Sequence, residues 1–517
     1  MWITLTISSG SLCTGVPKPT LLAGVLRLTE NSQMLIIREQ PSISISCLDS
    51  MQKFKPVNNE QLFLLPPSIE DFIPTDHLAR VINEVVETID VTDLEAKYSY
   101  LGQKSYHPHL LLKLLFYGYS IGIRSGRKIA AACESDTAFM YLSSMYKPDF
   151  RTINDFRKDN IDFIQKAFVH IVQLCKGLGM CKAGMLIIDS TKLKANASAD
   201  RSKNKEQYGQ WLERIDADIK NILDEAEQTD KKEDKQYGEK RGDELPEALR
   251  SKQKLKQKIK EALEGMNDEK ERINLTDREA KFIKNNGKID LHYSCQTAIT
   301  EDGIIVSAYT NNCASDRVAT ITSVDAAEQA TQDIYKEILA DSGYATFDNY
   351  EELNNRDKII YIPDQQLNDE IIKEQNPYHR NHFIYNQEKD CFICPENKEL
   401  PFYSNSTHKR AKQKSRVYIC KACTSCDKQP LCTKGKYRQI IIEKREFIRK
   451  EIRERLQSIE GKLKYLKRMR IESVFGNIKH NLNYVHLYLA GIKKTTAEWQ
   501  LICIGHNLKK MHKLKMT

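Results

Sequence analysis

The sequence contains no run of about 18 apolar residues, so no membrane-spanning helix is expected. Residues 1–22 lack a basic leader and a continuous apolar stretch, which argues against a secretory signal. In a non-secreted chain the 14 cysteines are expected as reduced thiols or metal ligands, not disulfides. Residues 1–50 have little charge and no clear periodicity, and residues 200–272 have little glycine. No acid interrupts the five bases of residues 462–470.

What is present points to a globular protein of two or three domains. The chain has 517 residues, 40% hydrophobic and 29% charged, enough for at least one large core. The formal charge is +9, and its distribution is uneven. Residues 436–481 hold 14 Lys/Arg against 6 Asp/Glu, so roughly the whole excess sits in one tenth of the chain. A basic stretch of this kind implies a polyanionic partner, most commonly nucleic acid.

The character of the chain changes at Met51, which predicts that residues 1–50 are a disordered extension upstream of the natural start. Residues 51–180 read as a helical, DNA-binding domain. Thr75 is placed to cap a helix whose apolar positions Leu78, Val81, Ile82, Val85, Val86 and Ile89 repeat at 3–4 spacing. A denser apolar helix follows Pro108, and Thr152 and Asp155 have capping-box spacing before a run with Ile161, Ile164, Phe168 and Ile171 on one side. Residues 181–517 read as mixed α/β. "MLII" is a short buried strand ending in Asp189, and residues 200–272 form a helical hairpin whose turn is "TDKKEDKQYGEKRGDELP". A strand hairpin, a helix and a strand ending in Asp341 follow, then a Cys-rich insertion at 385–435, then mostly helix.

Three acids stand out. Asp189 and Asp341 sit at strand ends, where a sheet can present both to one cleft, and Glu472 lies on the basic helix. Two strand-end aspartates and a helical glutamate are suited to hold two divalent ions, one activating a water or a 3′-hydroxyl and the other stabilising the leaving oxygen. Tyr465, Arg468, Glu472 and Lys479 are separated by 3, 4 and 7 residues, close to whole helical turns, so they are expected on one face. Bases on that face would grip phosphates on either side of the scissile bond. The bland alternative is two strand-end caps and a surface glutamate.

The pattern Tyr-x2-Arg-x3-Glu-x6-Lys, here Tyr465, Arg468, Glu472 and Lys479, resembles the signature of bacterial insertion-sequence transposases of the DDE type. "LLPPSIEDFIPTDHLARVI", "IIDSTKLKANAS", "LADSGYAT", "IESVFGNIKHN" and "AEWQLICIGHNLKKM" resemble successive motifs of one subgroup, so the likeness covers most of residues 51–517. The resemblance implies a ribonuclease-H-like core with Asp189, Asp341 and Glu472 holding Mg²⁺ or Mn²⁺, and Tyr465, Arg468 and Lys479 on DNA phosphates. It also implies binding of terminal inverted repeats, nicking, and joining of 3′-hydroxyl ends to a target by a homodimer on double-stranded DNA. A cytoplasmic, nucleoid-associated bacterial protein with no membrane role is then expected. The rivals are a catalytically inactive DNA-binding remnant or regulator, and a host nuclease of the same fold.

The cysteines run Cys391-x2-Cys394, then Cys420-x2-Cys423-x2-Cys426-x5-Cys432. Paired Cys-x2-Cys steps can close a structural Zn²⁺ site. Six thiols exceed four ligands, so Cys394, Cys423, Cys426 and Cys432 form one set and Cys391, Cys394, Cys420 and Cys423 another. Reduced thiols without metal are the alternative. His382 and His408 are expected at the surface, Trp499 in the core, and Trp211 in helix packing. Asp302, Asp316 and Asp364 are expected as caps. Asp277 is expected in a turn before a helix, and His292 is a weak candidate to approach the cleft.

Overall fold

The computed structural model describes residues 67–517, apart from 99–103, 238–246, 365–375, 408–413, 443–444 and positions 267, 270, 286 and 517. Upstream it describes the two-residue strands Arg27–Leu28 and Met34–Leu35, which pair antiparallel. The expected start at Met51, the reading of residues 1–50 as disordered (those four residues aside) and the surface placement of His408 lie outside the described residues.

Helices occupy the first part, as their apolar spacing predicts. Leu78–Glu87 buries Ala79, Val81, Ile82, Val85 and Val86. Its cap is His77, whose Nδ1 accepts from the Ala79 N–H at 3.2 Å, and not Thr75. Pro108 opens Pro108–Ser120 at a position where its missing N–H costs no helical bond. Asp149 caps Phe150–Asp159 by accepting from the Arg151 N–H at 2.8 Å, so Thr152 and Asp155 lie inside that helix. Ile161–Gly177 then buries Ile161, Ile164, Phe168 and Ile171.

A mixed sheet follows. Met185–Lys194 pairs antiparallel with Lys288–Thr300 on one side and parallel with Glu337–Leu339 on the other. Ile359–Tyr361 extends the parallel side. Beyond Lys288–Thr300, Lys281–Asn285 and Ile305–Asn311 pair antiparallel in tandem with successive parts of that long strand. The expected hairpin of Lys288–Thr300 and Ile305–Asn311 is thus present. A strand, not a helix, follows Asp277, whose buried Oδ1 accepts from Tyr293 Oη at 2.6 Å.

The final helix Ile492–Met516 lies against Ile305–Asn311 and against the helices Pro108–Ser120 and Ile161–Gly177. Helices and sheet therefore share one hydrophobic core. Trp499 is fully buried in it, as expected, and its Nε1–H donates to the Gln296 carbonyl at 3.3 Å.

Two smaller cores serve the insertions. Helices Lys205–Tyr237 and Glu247–Glu264 pair around Tyr208, Ile215, Ile259, Met266 and Ile273, with Trp211 stacked on Tyr208 at 6.2 Å. The first helix runs on to Tyr237, past residue 229 where the turn was expected. Strands Ile384–Asn386, Cys391–Ile393, Glu399–Thr407, Lys414–Cys420 and Arg438–Ile442 form a separate antiparallel sheet over Phe383, Phe392, Leu400, Tyr418 and Ile440. Among the described residues no helix is long and apolar enough to cross a membrane.

Candidate active site

Asp189 does not end its strand, which continues to Lys194. The parallel neighbour is what ends: Glu337–Leu339 pairs only with residues 185–187, Leu339 opposite Ile187. Asp189 and Asp341 each lie two residues further on. That brings the two close enough for the Asp341 charge to bear on Asp189. The sheet opens at this point because Asp341 turns away to cap Ser342–Tyr344, with Oδ1 accepting from the Gly343 N–H at 2.8 Å.

Glu472 comes from the basic segment, which is not one continuous helix. Ile459–Leu466, Met469–Gly476 and a π-helical turn at Asn477–Asn481 follow one another with a break at Lys467 and Arg468. The expected single face is therefore only partly realised. Arg468 and Glu472 keep their one-turn contact, Nη2 to Oε1 at 3.0 Å, and the Arg468 guanidinium lies 5.9 Å from the Tyr465 ring centroid. Lys479, in the π turn, is half-buried towards Cys295, and burial lowers its pKa.

Arg468 closes the cluster. Its Nη1 lies 3.3 Å from Asp189 Oδ2 while its Nη2 holds Glu472. Burial pushes the Asp189 carboxyl up to about 6, and the Asp341 charge adds to the rise; the Ser190 N–H and Arg468 oppose it. Burial likewise raises the Tyr465 hydroxyl, with Asp341 and Asp189 both contributing. Asp189, Asp341, Tyr465, Arg468 and Glu472 thus form one neighbourhood. His292 does not join it: it pairs with Lys194, five residues along the strand from Asp189, and its Nδ1 lies 2.9 Å from the Asp290 carbonyl.

Five bases of the basic segment, Arg445, Arg453, Lys464, Lys467 and Arg468, have acid partners from elsewhere in the chain. Lys464 pairs with Glu337, Lys467 with Glu301 at 2.7 Å, and Arg453 with Asp364 through bonds of 2.6 and 2.9 Å. The charge excess read from sequence is thus partly compensated in the fold, and Asp364 is an ion-pair partner, not a cap. Asp302 accepts from the Lys182 N–H at 3.2 Å.

Among the described residues no three acidic, histidine or cysteine side chains converge closely enough to hold a metal ion. The donor chemistry of Asp189, Asp341 and Glu472 is that of a hard divalent cation's ligands. They offer oxygen donors only, two carboxylates are crowded in a half-buried cleft, and a guanidinium already supplies positive charge there.

In the small sheet, one cavity is lined by Cys394, Cys420, Cys423, Cys426 and Cys432, and Cys391 is not among its walls. The Lys398 N–H donates to Cys394 Sγ at 3.2 Å. This donor set suits a soft or borderline cation such as Zn²⁺.

Sequence reading missed one group near the aspartates. Asp316, expected as a cap, instead accepts from Lys192 Nζ at 2.9 Å and from Gln296 Nε2 at 2.6 Å. Lys192 and Gln296 carry no motif, and only the strand register brings them together.

Comparison with known families bears on both ends of this unit. Residues 393–512 match the model of a transposase DDE domain, which takes in Glu472 and the Cys394–Cys432 thiols but neither aspartate. Residues 67–159 match a second model, described as a transposase domain. No curated protein matches the chain. Both its helical and its Glu472-bearing segments thus match transposase models, and the likeness is to transposases of the DDE type.

Proposed function

We propose that this chain, a transposase of the Tyr-Arg-Glu-Lys signature subgroup, binds the terminal inverted repeats of its element, cleaves there and joins the 3′-hydroxyl ends to target DNA. The observation that carries the reading is Arg468 bridging Asp189 and Glu472, with Asp341 close enough for its charge to bear on Asp189. The strand order, with its long antiparallel second strand and two parallel strands beyond the first, supports a ribonuclease-H-like core.

In this reading Asp189, Asp341 and Glu472 bind two Mg²⁺ or Mn²⁺ ions. The ions supply the Lewis acidity that activates a water or a 3′-hydroxyl and stabilises the leaving oxygen. Arg468 gives up the acids and takes a DNA phosphate, for which its planar fork is suited. Tyr465 and Lys479 flank the same phosphodiester. Joining two element ends needs two active sites, so a homodimer on DNA is the working unit. Cys394, Cys423, Cys426 and Cys432 hold a structural zinc that ties the small sheet together.

The test uses purified protein and duplexes carrying the element's terminal repeats. Wild type cleaves in Mg²⁺ or Mn²⁺ and transfers strands to a target. Asp189→Asn, Asp341→Asn and Glu472→Gln each bind the repeats without cleaving. Normal cutting by Glu472→Gln sinks the assignment of the three acids, and cleavage without strand transfer favours a nuclease.

A further inference from the structure

The strand that carries Asp189 has a second face. Ser190 and Lys192 point away from Asp189, and there Lys192 Nζ donates to Ser190 Oγ at 2.9 Å, Ser294 Oγ at 2.6 Å and Asp316 at 2.9 and 3.2 Å. Asp316 also accepts from Gln296 Nε2 at 2.6 Å and Ser294 Oγ at 3.1 Å. Gln296 is fully buried, and its Oε1 accepts from Tyr344 Oη at 2.8 Å. Tyr344 ends the short turn that Asp341 caps. A second brace joins the same turns: Asn349 Nδ2 contacts the Tyr344 carbonyl at 2.8 Å and the Arg317 carbonyl at 2.7 Å.

The chain of bonds therefore runs from the strand of Asp189, through Lys192, Asp316, Gln296 and Tyr344, to the turn of Asp341. The two aspartates lie where the sheet ladder has already ended, so no backbone bond between their strands fixes their separation. Sheet pairing leaves that distance open, and the side-chain network closes it. An ion pair that served stability alone would need no link to Tyr344, and replacing such a pair by apolar residues is often neutral.

We propose that Asp316, Gln296 and Tyr344 are positioning residues that set the spacing of Asp189 and Asp341 for cation binding. The proposal rests on the assignment of these two aspartates as cation ligands. Mg²⁺ demands near-ideal octahedral geometry, so a small error in spacing tells on its binding first.

Tyr344→Phe removes one hydroxyl and keeps the ring's packing. We expect melting temperature and repeat binding to stay at wild-type values. The Mg²⁺ concentration for half-maximal cleavage should rise roughly tenfold, the usual cost of losing an outer support of a metal ligand. Direct Mn²⁺ binding to the DNA-free protein, followed by electron paramagnetic resonance, should weaken as well. Asp316→Asn should shift both quantities in the same direction. Unchanged Mg²⁺ dependence and Mn²⁺ binding in Tyr344→Phe would overturn the proposal. If wild type binds Mn²⁺ in a Tyr344-dependent way but never cleaves, the functional reading fails and the positioning role stands.

Discussion

Arg468 bridges two acids that lie far apart in sequence: its guanidinium sits 3.3 Å from Asp189 Oδ2 and 3.0 Å from Glu472 Oε1. One planar fork thereby supplies, in the DNA-free chain, positive charge where the proposed cations would sit. A cation entering this cleft competes with the guanidinium, and a DNA phosphate that draws Arg468 away relieves the competition. We predict that Arg468→Ala binds Mn²⁺ more tightly than wild type without DNA, by roughly tenfold or ~1.4 kcal/mol. The same variant should lose most of its cleavage, because the phosphate contact goes with the side chain. Arg468→Lys should restore little, since a point charge does not reproduce the fork. Titrating Mn²⁺ into the three proteins decides the matter: equal affinities mean that the bridge does not guard the site.

The Asp189 carboxyl gives a prediction on pH and stability. Burial raises its folded pKa to about 6 from the ordinary 3.8. The folded state therefore holds this proton more tightly than the unfolded chain. The stability so gained is fully present below pH 3.8 and is lost as pH rises through about 6. At neutral pH without metal, the charged carboxylate is a burden on the fold. Asp189→Asn should then be more stable than wild type in chelator at pH 8, by on the order of 3 kcal/mol. The advantage should fade towards pH 4. Paired thermal melts at the two pH values test it, and an advantage that does not change with pH contradicts the burial argument.

Much of this was legible in the sequence, for identifiable reasons. The spacing of Val81, Ile82, Val85 and Val86 is a local property, and their helix folded as read. Glu472 and Arg468 are four residues apart, so one helical turn brings them together whatever the surroundings. Lys479 was harder, because counting turns assumes a single regular helix. The break at Lys467 and the π turn at 477–481 redirect its side chain. Caps were misread where several polar residues competed locally: His77 and Asp149 were chosen over Thr75 and Thr152. Asp316 was out of reach, because its partners arrive through register between strands about a hundred residues apart in sequence. The basic segment misled in a different way. Counting charges along the chain could not show that Glu337, Glu301 and Asp364 would come to pair with three of its bases.

The cysteine cavity bears on the two ligand sets that the spacing left open. Cys394, Cys420, Cys423, Cys426 and Cys432 line it and Cys391 does not, which favours the set without Cys391 as the one to test. Protein purified without chelator should carry about one zinc per chain, as a closed structural site does. Cys423→Ser should lose that zinc and melt at a lower temperature. Cys391→Ser, buried elsewhere in the small sheet, should keep it. Atomic emission on the purified variants measures both. Zinc retained in Cys423→Ser, or lost only in Cys391→Ser, would reject this ligand set.

Two glycines of the C-terminal region should respond in opposite directions to the same change. At Gly505 the final helix meets the Pro108–Ser120 helix so closely that an added Cβ would lie 3.0 Å from the Ser120 nitrogen and Cα and from the Tyr119 carbonyl carbon. Those are backbone atoms of a buried helix and cannot swing aside, so the two helices must part. Gly505→Ala should cost roughly 1–3 kcal/mol, the usual penalty for overpacking. Gly476, at the end of Met469–Gly476, has helical dihedrals and nothing within 4 Å of an added Cβ. There alanine only removes freedom from the unfolded chain, which stabilises by about 0.4–1 kcal/mol. Denaturant melts of the two variants beside wild type make the comparison. Should Gly505→Ala prove as benign as Gly476→Ala, the helices do not approach as closely as described. The shared core of helices and sheet would then be looser than this contact requires.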